Sequence, residues 1–149
     1  MFRTLKAIGR VLMTHIDGTY KENKWAGLDC GPGYRIEDLG RPAVFCLPED
    51  KLTWRIEGRS INDMLVEFLA AEFGGFSCDT RQQFGVWRDG REIVHYDTCI
   101  VFEVSFVGKE RIPKLASILG LIAKGIGEKC IYFKAGQYSA LIWPTDRNA

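Results

Sequence analysis

Between Ile100 and Phe106 the chain alternates strictly. Ile100, Phe102, Val104 and Phe106 fall on one side, and Glu103 and Ser105 on the other. A period of two with a single apolar side marks a strand that buries one face. A one-residue slip would turn all four apolar side chains to the wrong face, so the register of this strand is strongly specified. Even-numbered side chains from 100 to 106 are therefore expected to look inward and odd-numbered ones outward. The fold has to supply a layer that covers the even side.

Two helices are available as that layer. Ser60 followed by Asp63 resembles a capping box with Asp in place of Glu, in which the serine oxygen accepts a hydrogen bond from a first-turn N–H. Ile61, Met64, Leu65, Phe68 and Leu69 then form one stripe, and Gly74-Gly75 ends the helix with a residue tolerant of the left-handed conformation. The second helix is predicted over Ile112 to Ile126. Pro113 sits in its first turn, where a missing N–H costs little, and Leu115, Ile118, Leu119 and Ile122 make the stripe. Ala116, Leu121 and Ala123 widen it.

The remaining strands follow from alternation and turn chemistry. Ala43–Leu47 is a short buried-type run stopped by Pro48. In Lys51–Glu57, Leu52, Trp54 and Ile56 alternate with Thr53, Arg55 and Glu57. Gln82–Trp87 and Arg91–Val107 flank Asp89-Gly90, a strong hairpin signal, with a bend expected near Asp97-Thr98. Lys129–Lys134 and Tyr138–Trp143 read as a last hairpin. From Lys51 the order is β-α-β-β-α-β, that of an α+β, ferredoxin-like antiparallel sheet with two helices on one face. Right-handed crossovers would then make Lys51–Glu57 and Ile100–Val107 the central pair.

The N-terminal part is different. Phe2, Leu5, Ile8, Leu12 and Ile16 recur at helical spacing among Arg3, Lys6 and Arg10, so residues 1–16 read as a terminal helix packing its stripe on the domain. A membrane-surface helix is the other reading of that pattern. Glycine and proline are dense from Asp17 to Arg41, which excludes long regular elements there. The 149 residues fit a single domain, with residues 1–45 an extension packed on a core over 46–144.

Charge and cysteines exclude several functions. Twenty Lys and Arg against 19 Asp and Glu leave a net charge of +1, which advertises no nucleic-acid field. Five cysteines, odd in number, widely spaced and without C-x-x-C, support neither a zinc site nor a disulfide framework. No metal and no cofactor is expected, and the free thiols point to a reducing, cytoplasmic setting. No run of 18 apolar residues is present, so no membrane span is expected.

No nucleophile elbow, zincin helix, phosphate loop or dinucleotide fingerprint occurs. Excess hydrophobicity is the most unusual feature: 4 Trp, 9 Phe and 5 Tyr, and a hairpin apolar on both sides at Phe84, Val86, Trp87 and Ile93. Such a hairpin must be buried twice or present a sticky patch. The favoured reading is thus a non-enzymatic protein-interaction domain, of an accessory or inhibitor type, whose partner is another protein or a second copy of the chain. The alternative is a small-molecule or nucleotide-binding protein, with enzymatic activity admitted, using the sheet face away from the helices. Its candidate ligands are Arg55 paired across strands with Glu103, together with Ser105, Tyr132 and His95, a set suited to an anionic or planar molecule. Last comes nucleic-acid binding through the basic residues after Gly108, the least expected partner because those charges are spread out.

Overall fold

The computed structural model describes residues 14–16, 19–21, 25, 27–28, 30–88 and 90–146. The chain forms two compact units, one ending at Leu39 and the other beginning at Gly40. In the first unit β1 (Thr14–Ile16) pairs antiparallel with β2 (Thr19–Lys21), and β3 (Cys30–Gly31) with β4 (Tyr34–Arg35). The helix expected over residues 1–16 lies, through residue 13, outside the described residues. Its last turn is not helical: Thr14–Ile16 is strand, and the Asp-Gly that follows is a hairpin signal that outweighs the apolar spacing.

The second unit is an α+β structure with an antiparallel sheet and two helices. Its elements are β5 (Arg41–Pro48), a short 3-10 turn (Glu49–Lys51), β6 (Arg55–Ile56), β7 (Arg59–Ser60), α1 (Ile61–Phe73), β8 (Ser77–Arg88), β9 (Val94–Phe106), a second 3-10 turn (Lys109–Arg111), α2 (Ile112–Ile126), β10 (Ile131–Ala135) and β11 (Tyr138–Ile142). Five strands form the main sheet in the order β11-β10-β5-β9-β8, each antiparallel to its neighbours.

The expected parity of β9 is observed. Phe102 is 2% exposed while Glu103 is exposed. Ala43, Phe45 and Leu47 of β5, the even positions of β9, and Ile131 and Phe133 of β10 share one buried cluster with Ile61, Leu65 and Leu69 of α1 and Leu115, Leu119 and Ile122 of α2. The rings of Phe45 and Phe102 stack at 5.3 Å, 6° from parallel. Burying each of these large side chains contributes about 1.5–3 kcal/mol, so this layer stabilises the unit more than any surface pair does.

Helix ends match their chemistry. The Ser60 hydroxyl oxygen accepts from the Asp63 N–H at 3.0 Å, and Gly74 and Gly127 close the two helices in the left-handed conformation. Arg111 donates to the Glu72 carbonyl at the end of α1 and lies 4.9 Å from the Phe73 ring centroid. Of the basic residues after Gly108, Lys114 pairs with Glu72 and Lys124 with Asp146.

The expected central strand is corrected. The partner of β9 is β5, with Val44 opposite Glu103 and Phe45 opposite Phe102. Lys51–Glu57 is not a strand of the main sheet. It turns through the 3-10 segment into a separate β6-β7 ribbon whose bend has positive φ at Glu57 and Gly58. Trp54, expected inward, is 49% exposed beneath the Lys51 ammonium. Ile56 does pack, occupying the space that a side chain at Gly125 would need. The irregularity expected in the second hairpin arm lies in the first, between Asp79 and Gln83.

Candidate functional site

Opposite the helices, the sheet presents its other alternation: Val44 and Cys46 of β5, Asp97 and Cys99 of β9, Tyr132 of β10, and Gln83, Gly85 and Trp87 of β8, which stand opposite Cys99, Asp97 and His95. A groove of about 280 Å³ lies on this face, close to the lower end of the roughly 300–1,000 Å³ of ligand pockets. Its floor holds the thiols of Cys46, Cys99 and Cys130; Trp87, Asp97, Tyr132 and Glu128 stand around it. The register places Cys46 opposite Val101 and Cys99 opposite Pro48, so the first two thiols are diagonal neighbours. Gly85, lacking a side chain, leaves room above the floor: a Cβ built there would find only the Asp97 carbonyl oxygen, at 3.9 Å.

The rim is ordered by hydrogen bonds. The Trp87 indole N–H donates to Asp97 Oδ2 at 2.7 Å, and the His95 ring stacks on the indole at 4.3 Å between centroids, 14° from parallel. The Tyr132 hydroxyl meets Ser139 Oγ at 3.1 Å. Lys51 pairs with the half-buried Glu128 and also donates to the Ile126 carbonyl at 3.1 Å, where α2 ends. A second hollow of about 440 Å³ at the edge of the sheet shares Pro48, Asp97 and Glu128 but is lined otherwise by Glu49, Asp50, Lys51, Gln82, Tyr96 and Thr98. It is more open and more polar. Desolvating a ligand is easier in the groove, which has an aromatic wall and a soft floor.

The floor thiols are held protonated. Burial, then the neighbouring Cys99, push the Cys46 thiol up to about 12. Burial also raises Cys99, with the Asp97 charge adding to it, and Cys130, with Glu128 and Asp97 adding. Only the thiolate is nucleophilic, so the floor offers polarizable surface and not a nucleophile. Near pH 8 a thiol with a pKa of about 12 is ionised in about one molecule in ten thousand, so its alkylation is expected to run about a thousandfold slower than that of an ordinary cysteine. Cys30 and Cys78 are exposed. Counting modified thiols by mass after graded iodoacetamide treatment should find those two labelled first and Cys46 last. Early labelling of Cys46 in the folded protein would contradict the assigned burial.

The residues named from sequence are divided by the structure. Tyr132 borders the groove and is 46% exposed, and His95 flanks it through Trp87. Glu103 and Ser105 share the face but lie further along β9, about 13 and 20 Å from Cys99 at strand spacing. Arg55 is not on this sheet: it belongs to the β6-β7 ribbon, where it donates to the Gly58 carbonyl at 2.6 Å, so the expected Arg55–Glu103 pair does not form. Without it, the proposed recognition of an anion loses its cation. Asp97, Glu128, Gly85 and the three cysteines were not among the expected ligands. Their signal is phase, since Cys46 and Cys99 alternate out of step with Phe45 and Ile100. Among the described residues no three of His, Cys, Asp and Glu are grouped so as to hold a metal ion, and no helix is long and apolar enough to cross a membrane.

At the hairpin tip Phe84 is 69% exposed and stacks on Tyr96, and Val86 and Ile93 are exposed as well. Trp87 is half-buried and walls the groove.

No family model and no curated protein matches the sequence. A solved structure shares the fold. A phage SAM lyase in complex with S-methyl-5'-thioadenosine aligns with a TM-score of 0.51 at 13% sequence identity, over 74% of this chain and 95% of that one. A phage SAM lyase in the apo state aligns with a TM-score of 0.46 at 13% identity, over 77% and 100%. The expectation of a non-enzymatic interaction or inhibitor domain is corrected by the first likeness. That structure is of an enzyme with a small molecule bound.

Proposed function

We propose that this protein binds a small molecule in the groove on the outer sheet face, and that the ligand is an adenine nucleoside carrying sulfur, of the class of S-methyl-5'-thioadenosine and S-adenosylmethionine. The observation that carries the reading is the groove itself. It is apolar-floored and bounded by an indole and a phenol, with Gly85 keeping it open, on a fold shared with a protein that holds S-methyl-5'-thioadenosine. Aromatic walls suit a purine, and half-buried protonated thiols suit a thioether. The element order β5-α1-β8-β9-α2-β10 and the spatial order β10-β5-β9-β8 favour a ferredoxin-like core, with β11 as an added edge strand.

The test is calorimetric titration with S-methyl-5'-thioadenosine and S-adenosylmethionine, for the protein and for Gly85→Leu. The backbone at Gly85 accepts a Cβ without collision, so the leucine should fill the groove and leave the fold standing. Binding by the native protein and at least about a tenfold loss in the variant, with an unchanged melting temperature, is the expected result. No heat and no melting shift with either compound at millimolar concentration, where binding would stabilise the fold, would overturn the reading. A lyase activity is the narrower form of it, tested by following S-methyl-5'-thioadenosine released from S-adenosylmethionine.

A further inference from the structure

Charge around the groove is one-sided. Among the described residues its lining includes two carboxylates, Asp97 and Glu128, and no Lys or Arg. The two are not equivalent. Glu128 is matched by the Lys51 ammonium, which also ties it to the end of α2. Asp97 accepts its 2.7 Å hydrogen bond from the indole N–H of Trp87, a neutral donor. That bond fixes the carboxylate and, because its donor is neutral, does not cancel its negative charge. A partly desolvated carboxylate beside an aromatic face attracts a cation more strongly than it would in water. The expectation from sequence, an anionic or planar molecule held with Arg55, loses its cation, because Arg55 is on another ribbon.

We infer that the Trp87–Asp97 pair determines specificity in this groove by charge, with Asp97 favouring a ligand that bears a positive centre at the sulfur position and Trp87 positioning that carboxylate. This rests on the groove being the binding site for sulfur-containing adenine nucleosides. It adds that a neutral thioether binds less well than its cationic counterpart and that a phosphorylated nucleoside is disfavoured. Loss of the Asp97 charge should abolish the preference without abolishing binding, because the floor and walls stay in place.

The probes are S-adenosylhomocysteine, neutral at sulfur, and sinefungin, whose amine puts a positive charge at the same place and which has no carbon–sulfur bond to cleave. Adenosine monophosphate serves as the anionic comparison and S-methyl-5'-thioadenosine as the tail-free one. For the native protein, sinefungin should bind at least about tenfold tighter than S-adenosylhomocysteine, with adenosine monophosphate weakest. In Asp97→Asn, which can still accept from the indole, the two tailed ligands should come within about threefold of each other, and S-methyl-5'-thioadenosine should lose less affinity than sinefungin does. Trp87→Phe keeps the charge and removes the bond that aims it, so the preference should shrink with the charge still present; it also guards against an Asp97 variant that fails to fold. Equal binding of sinefungin and S-adenosylhomocysteine by the native protein overturns the inference while the proposed function stands. An equal loss of every ligand in Asp97→Asn with an intact melting curve overturns it too, since Asp97 would then merely shape the groove. If the native protein binds none of the four, the proposed function fails and the inference falls with it.

Discussion

Phe102→Ala is expected to destabilise the second unit by about 3–5 kcal/mol, the range for truncating a buried aromatic. The ring lies in parallel contact with Phe45 and 6.2 Å from Phe76, and it is almost completely buried between the sheet and the helices. Removing it leaves a cavity where three elements meet, and the neighbouring Phe45 cannot relax without giving up its own packing. A domain of this size has roughly 5–15 kcal/mol of stability in total, so the variant should sit near the edge of folding. Glu103→Ala, one residue on and exposed, should change stability by no more than about 0.5 kcal/mol. Urea unfolding of the two variants measures both numbers. Equal effects would mean that the strand presents the wrong face to the core.

The second large effect is expected at Gly40, where φ is 83°. A side chain in that region strains the backbone by about 1–3 kcal/mol. Here it would also collide: a Cβ at Gly40 would run into the Phe106 carbonyl and come 2.6 Å from the Val107 nitrogen. Both are backbone atoms at the end of β9, Phe106 its last residue and Val107 the next, so relief requires opening the Arg41–Phe106 end of the ladder. Gly58 provides the control, with φ of 82° and open space around its missing side chain. Gly58→Ala should therefore show the dihedral strain alone, and Gly40→Ala clearly more. Similar unfolding midpoints for the two would show that the close approach at Phe106 is not rigid.

What could be read before any coordinates was local. The Ser60 cap, the left-handed Gly74, the two helix stripes and the inward parity of β9 all follow from chemistry within a few residues of each other. The central strand is hidden in the sequence for a physical reason. In β5 both faces are apolar or half-buried, with Val44 and Cys46 on one and Ala43, Phe45 and Leu47 on the other, so alternation is hidden and the run looks merely hydrophobic. Leu52, Trp54 and Ile56 alternate well, yet a positive φ at Glu57 and Gly58 folds that segment onto itself before it can join a sheet.

The candidate site was legible only in fragments. Tyr132 and His95 were recognisable as outward-facing. That Cys46, Cys99 and Cys130 gather on one floor depends on β5 lying between β10 and β9, a pairing between segments far apart in the chain.

The order of residues by itself determined which side chains β9 and the two helices would bury, because that depends on spacing along one element. Only the tertiary structure decided which strands became neighbours, and with that the composition of the groove and the sign of its charge. Strand partners are chosen by the packing of whole layers, where a difference of a few kcal/mol summed over many distant contacts outweighs any local pattern.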